Sequence, residues 1–384
     1  MKSLQKTLAP GLFTIALMSL LLFTSAGVAH AVARQSSCGK SWTLVPSPNP
    51  GTQNVFDGIA AISQNDVWAV GYSDNQPLTA HWDGTSWSAV SNPTLPGQNS
   101  LLAVTAIATN DVWAVGESGT QVLVEQWNGT SWSTVTAPTP GVSGMFTSVA
   151  AIPGTSNVWA IGHYQNSNGK DQTLIEQWDG TNWNVVSSPN VAGKGNDLLG
   201  VTAVSASDAW VVGTHANTGG NFQTLIEQWN GTSWNVVHSP NVDSNGVLWS
   251  VTQIPGSQKV LAAGTYTTGG NVGRNLVEQW DKTNWQVIPS QDIGGINNTL
   301  FGTTAVSSTD AWAVGLLYPN SGPNQALTEH WNGKKWTTYY TPNVQGNSIL
   351  TGVTNVSSTN TVWAVGVSYD NSGNSSTIAE EICL

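Results

Sequence analysis

Residues Thr224–Asn241 read TLIEQWNGTSWNVVHSPN, an alternating strand, a tight turn and a second strand. Asn230-Gly231 suits a two-residue hairpin, because both central residues tolerate positive φ. The phrase returns as LVEQWNGTSW from Leu123, TLIEQWDGTNW from Thr173 and NLVEQWDKTNW from Asn275. Looser copies are PLTAHWDGTSW from Pro77 and ALTEHWNGKKW from Ala326. A phrase that recurs at a fixed period marks a repeat architecture, in which each copy is one structural unit.

A second signature precedes each hairpin. Its first copy is Ile59-Ala60-Ala61-Ile62, a turn ending at Asp66, then Val67-Trp68-Ala69-Val70-Gly71. Its Trp recurs at Trp113, Trp159, Trp210, Trp312 and Trp363, with Leu261 in the remaining slot, at intervals of 45, 46, 51, 51, 51 and 51. Four strand-length apolar runs per unit of this size make a β-propeller blade. The Trp after the hairpin turn occurs seven times, at Trp42, Trp87, Trp132, Trp183, Trp234, Trp285 and Trp336. Both signatures have seven slots but are offset by one strand pair. The chain therefore opens with a lone fourth strand, Ser41–Pro46, and closes with a lone third strand, Thr377–Ile382. The expected fold is all-β: a seven-bladed propeller of four antiparallel strands per blade, its ring closed by the N-terminal strand completing the last blade.

In the repeat register, Cys38 and Cys383 both fall on the Asn of the hairpin turn, one on each side of the break. In an exported chain such a pair is expected to be bonded. Export is what the N-terminus implies. Lys2 and Lys6 precede the 13-residue apolar run Gly11–Phe23, and Ala29-His30-Ala31 is a small-x-small cleavage site. The run is short for a membrane span, and Gln35-Ser36-Ser37-Cys38 lacks the pattern of a lipid-modified cysteine. The reading is residues 1–31 signal peptide, 32–37 linker and 38–384 propeller, monomeric and secreted or in the cell envelope. The net charge of −11 argues against nucleic acid as a partner.

Nineteen of the twenty Trp occupy the repeat slots. With a two-residue turn, Trp127 opposes Thr130 and Glu125 opposes Trp132, which places Glu125, Trp127 and Trp132 on one face. Glu recurs in this slot at Glu176, Glu227, Glu278, Glu329 and Glu380, with Ala80 the exception. Six equal copies point to acceptors for indole or backbone N–H groups between blades, not to catalysis. His81 and His330 stand in the slot of Gln126 and read as structural.

The W-[ND]-G turn and the V-W-A-V-G strand resemble the Trp-rich repeats of secreted kelch-like and tectonin-like β-propellers over Cys38–Leu384. The doubled glycine of kelch repeats and the Gly-His pair of WD40 repeats are missing. The resemblance implies a rigid binding scaffold; some relatives are lectins and others enzymes.

The turns inside the two hairpins of each blade are short and uniform. The connections His163–Asp171, Thr214–Phe222, Thr265–Asn275, Leu316–Gln325 and Val367–Ser375 are long and varied, so the face that carries them is the candidate functional face. Tyr72, Tyr164, Tyr266, Tyr318, Tyr369, His163, His215 and Phe222 fall there. Trp249, alone outside the repeat slots, sits where a linker enters the fifth blade, and its counterparts read as Asp57, Leu102, Thr147, Leu199, Gly302 and Thr351. A non-repeating aromatic at the channel mouth suits sugar stacking. The expected ligand site centres on Trp249 and Tyr266, with Tyr318, Tyr164, His215 and Arg274 around them, and takes a glycan or an extracellular protein. No cofactor or metal is called for. A sialidase-type arginine triad cannot be assembled from Arg34 and Arg274, and the cysteines are claimed by ring closure. His163 and His215, in neighbouring loops, lack a metal-ligand spacing. A hydrolase or lyase at the channel mouth and a structural envelope protein are the alternatives.

Overall fold

The structure is a computed structural model that describes residues 39–383, apart from residues 194, 244, 270–271, 292–296, 340, 343, 345 and 358. The expected signal peptide, the linker and Cys38 lie outside the described residues.

Seven four-stranded antiparallel sheets make up the described chain, and six are formed by consecutive strands. The seventh combines Asn347–Asn355, Thr361–Tyr369 and Ser375–Cys383 with the N-terminal Thr43–Leu44. Thr43 opposes Glu381 and Leu44 opposes Glu380, so the strand after the N-terminus fills the fourth place of the last blade. The first strands of successive sheets touch in order, and Asn347–Asn355 touches Asn54–Ser63, which closes the ring. The fold is the expected seven-bladed propeller.

The tryptophans hold neighbouring blades together. Trp68 of the first blade is clasped by Trp127 and Trp132 of the second, with centroids at 5.0 and 5.3 Å. The arrangement repeats at Trp113 with Trp178 and Trp183, at Trp210 with Trp280 and Trp285, and at Trp363 with Trp82 and Trp87. Offset and edge-on aromatic contacts of this kind add about 0.5–1.5 kcal/mol per pair beyond burial. At the closing junction Ile382 replaces one Trp, and Trp312 meets Trp42 at 5.3 Å. Leu261 takes the Trp slot of the fifth blade and packs with Trp331 and Trp336.

The hairpin turn differs from its expected form. Trp127 opposes Trp132, so the connection is the four residues Asn128–Ser131, and Glu125 opposes Thr134. The side chain decides this. Asn128 Oδ1 accepts from the N–H groups of Thr130 (2.9 Å) and Ser131 (3.0 Å) and from the Thr130 hydroxyl, an Asx turn that needs only Gly129 at positive φ. The shift is two residues, so Glu125, Trp127 and Trp132 still share a face.

The Glu of this face is fully buried at Glu125, Glu176, Glu227, Glu278, Glu329 and Glu380. Its partners come from polar side chains, chiefly of the preceding blade, not from indoles. Asn92 donates to Glu125 (2.6 Å), Ser239 to Glu278 (2.9 Å), and Asn275 and Ser290 to Glu329 (2.7 and 2.5 Å). The oxygens of Glu176, Glu227 and Glu380 have no hydrogen-bond partner among the described residues, and burial pushes each of these carboxyls up to about 8. His81 and His330 do behave as Gln126 does. Each pairs with the Asp that ends the preceding turn: His81 with Asp66 (2.9 Å), His330 with Asp310 (3.0 Å), and Gln126 with Asp111 (2.9 Å).

Candidate functional site

The central channel is built by one irregularity repeated seven times. Each inner strand carries a β-bulge, because Phe56 opposes Gly71 while Gly58 opposes Val70, which leaves Asp57 without a partner. The same skip leaves out Leu102, Thr147, Leu199, Trp249, Phe301 and Thr351. An extra residue on one strand bends the strand and re-aims its side chain.

Two small-residue rules make the bulge possible. A Cβ on the glycine of V-W-A-V-G would strike a backbone carbonyl of the inner strand: Val55 O for Gly71, Asp197 O for Gly213, Thr299 O for Gly315. The residue after the bulge is Gly58, Ala103, Ser148, Gly200, Ser250, Gly302 or Gly352. A Cβ at Gly58 would come within 2.9 Å of Ala103 Cα, and one at Gly200 within 2.9 Å of Ser250 Cα. Adjacent inner strands are that close. Gly302 therefore belongs to this small-residue slot, and the true counterpart of Trp249 is Phe301.

The bulge residues line a cavity of about 420 Å³ together with Met145 and the small residues beside them. Thr147 and Thr351 use their hydroxyls to clip neighbouring blades, donating to Leu198 O and Phe56 O at 2.7 Å. The other five bulge residues divide the channel. Leu199, Trp249 and Phe301 form an apolar wall across the fourth to sixth blades, with Trp249 and Phe301 edge-on at 5.5 Å. Leu102 is on the second blade. Asp57, on the first, stands across the ring from the Leu199–Trp249 wall.

Among the described residues, Asp57 is the only charged one lining this cavity. Its Oδ2 has no hydrogen-bond partner among the described residues, and burial raises its carboxyl to about 7. Tyr72 and Tyr369 stand near enough that the Asp57 charge, added to their own burial, raises both phenols. This acid–phenol group was hidden in the sequence, where Asp57 reads as one more counterpart of Trp249. The available signal was that it is the one ionisable residue in its slot.

The expected site residues are placed as follows. Trp249 lies inside the inner strand Asn245–Gln253, within the channel and not on a linker. Tyr164, His215, Tyr266, Arg274 and Tyr318 belong to strands, because the strands run further toward the loops than their polarity suggests; none of the five lines the channel. Tyr266 opposes Arg274 across the ladder and packs on the core shared by the fourth and fifth blades. Tyr164 packs on the core of the second and third blades. His215 is partly buried, which lowers its pKa, while Tyr318 is exposed at a strand end. His163 Nδ1 lies 3.4 Å from Asp197 Oδ1 of the next blade, and among the described residues no group of three or more His, Cys, Asp or Glu is placed to hold a metal.

The long connections and the linkers do share a face. Asp74, in the turn after Ser73, accepts from the N–H groups of Thr52 (3.1 Å) and Gln53 (2.9 Å) in the linker. Tyr72 and Tyr369 stand at the strand ends on this side, so the acid–phenol group marks the long-loop mouth of the channel.

No protein-family model matches the chain, and no curated protein matches it. Solved structures share its fold. YCF48 bound to D1 peptide matches with a TM-score of 0.57 at 15% identity, over 91% of this chain and 98% of that one. A polysaccharide lyase, the PL25 ulvan lyase, matches with a TM-score of 0.58 at 8% identity, over 89% of this chain and 94% of that one. At such identities the likeness establishes the propeller and nothing finer.

Proposed function

We propose that this chain is an exported, non-catalytic binding module of the Trp-rich secreted propeller kind, and that it takes a protruding group of an extracellular glycan into the long-loop mouth of its central channel. The observation that carries the reading is the asymmetry of the bulge ring. One backbone geometry repeats seven times, yet it presents an aromatic pair, Trp249 and Phe301, on one side and a single carboxylate, Asp57, on the other. An apolar wall with a few convergent polar groups is the usual make-up of a ligand pocket, and an aromatic face suits a sugar ring. Among the described residues the one acid lining the channel is accompanied by nearby phenols and by no basic side chain, which favours binding over turnover. The two fold relatives named above include one seen with a peptide and one that is a polysaccharide lyase. A peptide side chain is thus the second reading. Tyr266, Tyr318, Tyr164, His215 and Arg274 are assigned to the rim, where they would contact the rest of the ligand.

A binding screen of the mature protein against glycans, cell-wall polysaccharides and extracellular peptides tests this. The expected result is a saturable ligand whose binding is lost in Trp249→Ala. Saturable binding unaffected by that change places the site elsewhere, and product release from a polysaccharide makes the chain an enzyme. Export carries its own test. Cys383 N–H donates to Gly39 O at 3.2 Å, which holds the residue after Cys38 beside Cys383. Non-reducing peptide mapping of secreted protein is expected to recover a Cys38–Cys383 peptide, and two free thiols would refute the bond.

A further inference from the structure

The Asp57 carboxyl lines the channel with one oxygen unpartnered, and no basic side chain among the described residues lines the channel with it. We propose that the channel is a receptor site for a primary ammonium group, which donates to the Asp57 carboxylate while its carbon frame packs on Leu199, Trp249 and Phe301. The inference rests on the channel being the ligand site and adds the chemical class of what enters it.

The argument is one of complementarity. A buried carboxylate is stable as an anion only when it is paired or hydrogen-bonded. Among the described residues, those lining the channel include no Lys, Arg or His, and the titratable groups that act on or respond to Asp57 are the phenols Tyr72 and Tyr369. Thr351, the bulge residue of the adjacent seventh blade, has its hydroxyl committed to Phe56 O and Val365 O. A cationic ligand would supply the countercharge that the described residues lining the channel do not.

A metal ion is a poor candidate for that role, because a hard cation needs about six oxygen ligands and most of this wall is apolar. An anion is repelled by Asp57, and a neutral sugar leaves the acceptor partly unanswered. An ammonium group meets both sides of the channel. Its N–H bonds the carboxylate, and its carbon frame meets the apolar wall across the ring. A cavity of about 420 Å³ falls in the range of small-ligand pockets and holds an amino sugar or a lysine side chain. A quaternary ammonium has no N–H to give the carboxylate, so the primary amine is preferred.

The test is calorimetric titration of the mature protein with n-butylammonium, n-butanol and tetramethylammonium at pH 8. The expected order places n-butylammonium at least ten-fold tighter than n-butanol, with tetramethylammonium between. Asp57→Asn, nearly isosteric, is expected to erase the preference for the amine while the melting temperature holds or rises. Binding of n-butylammonium is expected to weaken several-fold from pH 8 to pH 5, as the Asp57 carboxyl takes up a proton. Tyr72 and Tyr369 stay protonated throughout that range. Equal binding of amine and alcohol, or an Asp57→Asn protein that still prefers the amine, overturns the proposal. A glucosamine oligomer set against Nα-acetyl-lysine methylamide, each affinity corrected for the fraction of its amine that is protonated at the working pH, then assigns the amine to a glycan or a polypeptide by which binds tighter. If a polysaccharide from the screen binds through Trp249 and ignores Asp57→Asn, the ammonium inference falls and the binding reading stands.

Discussion

The outer and inner parts of each blade obey opposite rules. In the outer layer the side chain is fixed. Trp68, Trp113, Trp159, Trp210, Trp312 and Trp363 are fully buried in equivalent places and meet near-identical partners. In the inner ring the backbone is fixed and the side chain is free: seven bulges carry Asp, Leu, Thr, Leu, Trp, Phe and Thr. The outer layer must fill the wedge between blades, and a change of volume there is felt at once. The bulge side chains project into a channel, where many shapes are tolerated. Repetition therefore marks what the fold needs, and departure from it marks where a ligand can be read.

The sharpest way to break that contrast is to remove an outer Trp. Trp234 is 4% exposed and packs on Trp159 at 5.3 Å. Trp234→Ala is expected to destabilise the fold by about 3–5 kcal/mol, since it opens a cavity that rigid sheets on both sides cannot fill. Urea unfolding measures it, and a loss below about 1 kcal/mol would mean that the junctions collapse easily and that the outer layer is not what fixes the ring.

The bulge itself is the next target. Gly213→Ala puts a Cβ against Asp197 O and is expected to cost about 1–3 kcal/mol, the usual penalty of overpacking. If stability is unchanged, the bulge is not held by that close approach.

These two cases show how far the sequence could be read. Blade number, strand count and ring closure were legible, because a period near 50 residues with offset signatures leaves few alternatives. The turn is two residues longer than its Asn-Gly dipeptide suggests, because the Asn128 side chain, not backbone preference, closes it. The bulge falls on Phe301 and not on Gly302, because one unpaired residue per strand is a phase slip that apolar patterning hides. The tell was present in Gly58, Ala103, Ser148, Gly200, Ser250, Gly302 and Gly352, small in every copy. The acid–phenol group was not legible, because Asp57, Tyr72 and Tyr369 converge only when the first and last blades meet.

The buried Glu slot gives a pH-dependent comparison between the layers. Burial raises Glu176, Glu227 and Glu380 from 4.5 to about 8. Between those values the unfolded chain has released protons that the folded chain keeps, so stability falls as pH rises from about 4.5 toward 8. The turn carboxylates Asp74, Asp83, Asp179, Asp281 and Asp370 are lowered by hydrogen bonds. Their contribution is lost only as pH falls below about 4. The melting temperature should peak near pH 4–5 and decline toward pH 8. Glu227→Gln should stabilise the protein at pH 8 by on the order of 1 kcal/mol, since one unit of pKa is worth about 1.4 kcal/mol, and should flatten the decline. A melting temperature that rises steadily from pH 5 to 8 would mean that these carboxyls are paired as anions.

The smallest expected effect on stability is the most informative about function. Trp249 is as large as Trp234 but lies in the wall of an open channel, beside space it does not fill. Its removal widens an existing cavity instead of creating a sealed one, so the cavity cost that dominates at Trp234 is nearly absent. It forfeits one edge-on contact with Phe301, worth about 0.5–1.5 kcal/mol. It also removes an indole N–H that has no hydrogen-bond partner among the described residues, which offsets part of that loss. Trp249→Ala is expected to change stability by about 1 kcal/mol or less. In binding the order reverses, because a central aromatic anchor typically carries about 2 kcal/mol or more, a loss of about thirty-fold in affinity. Urea unfolding and ligand titration on the same two variants read both scales. If Trp249→Ala unfolds the protein as badly as Trp234→Ala and leaves binding intact, the inner ring is structural as well, and the division of labour between the layers does not hold.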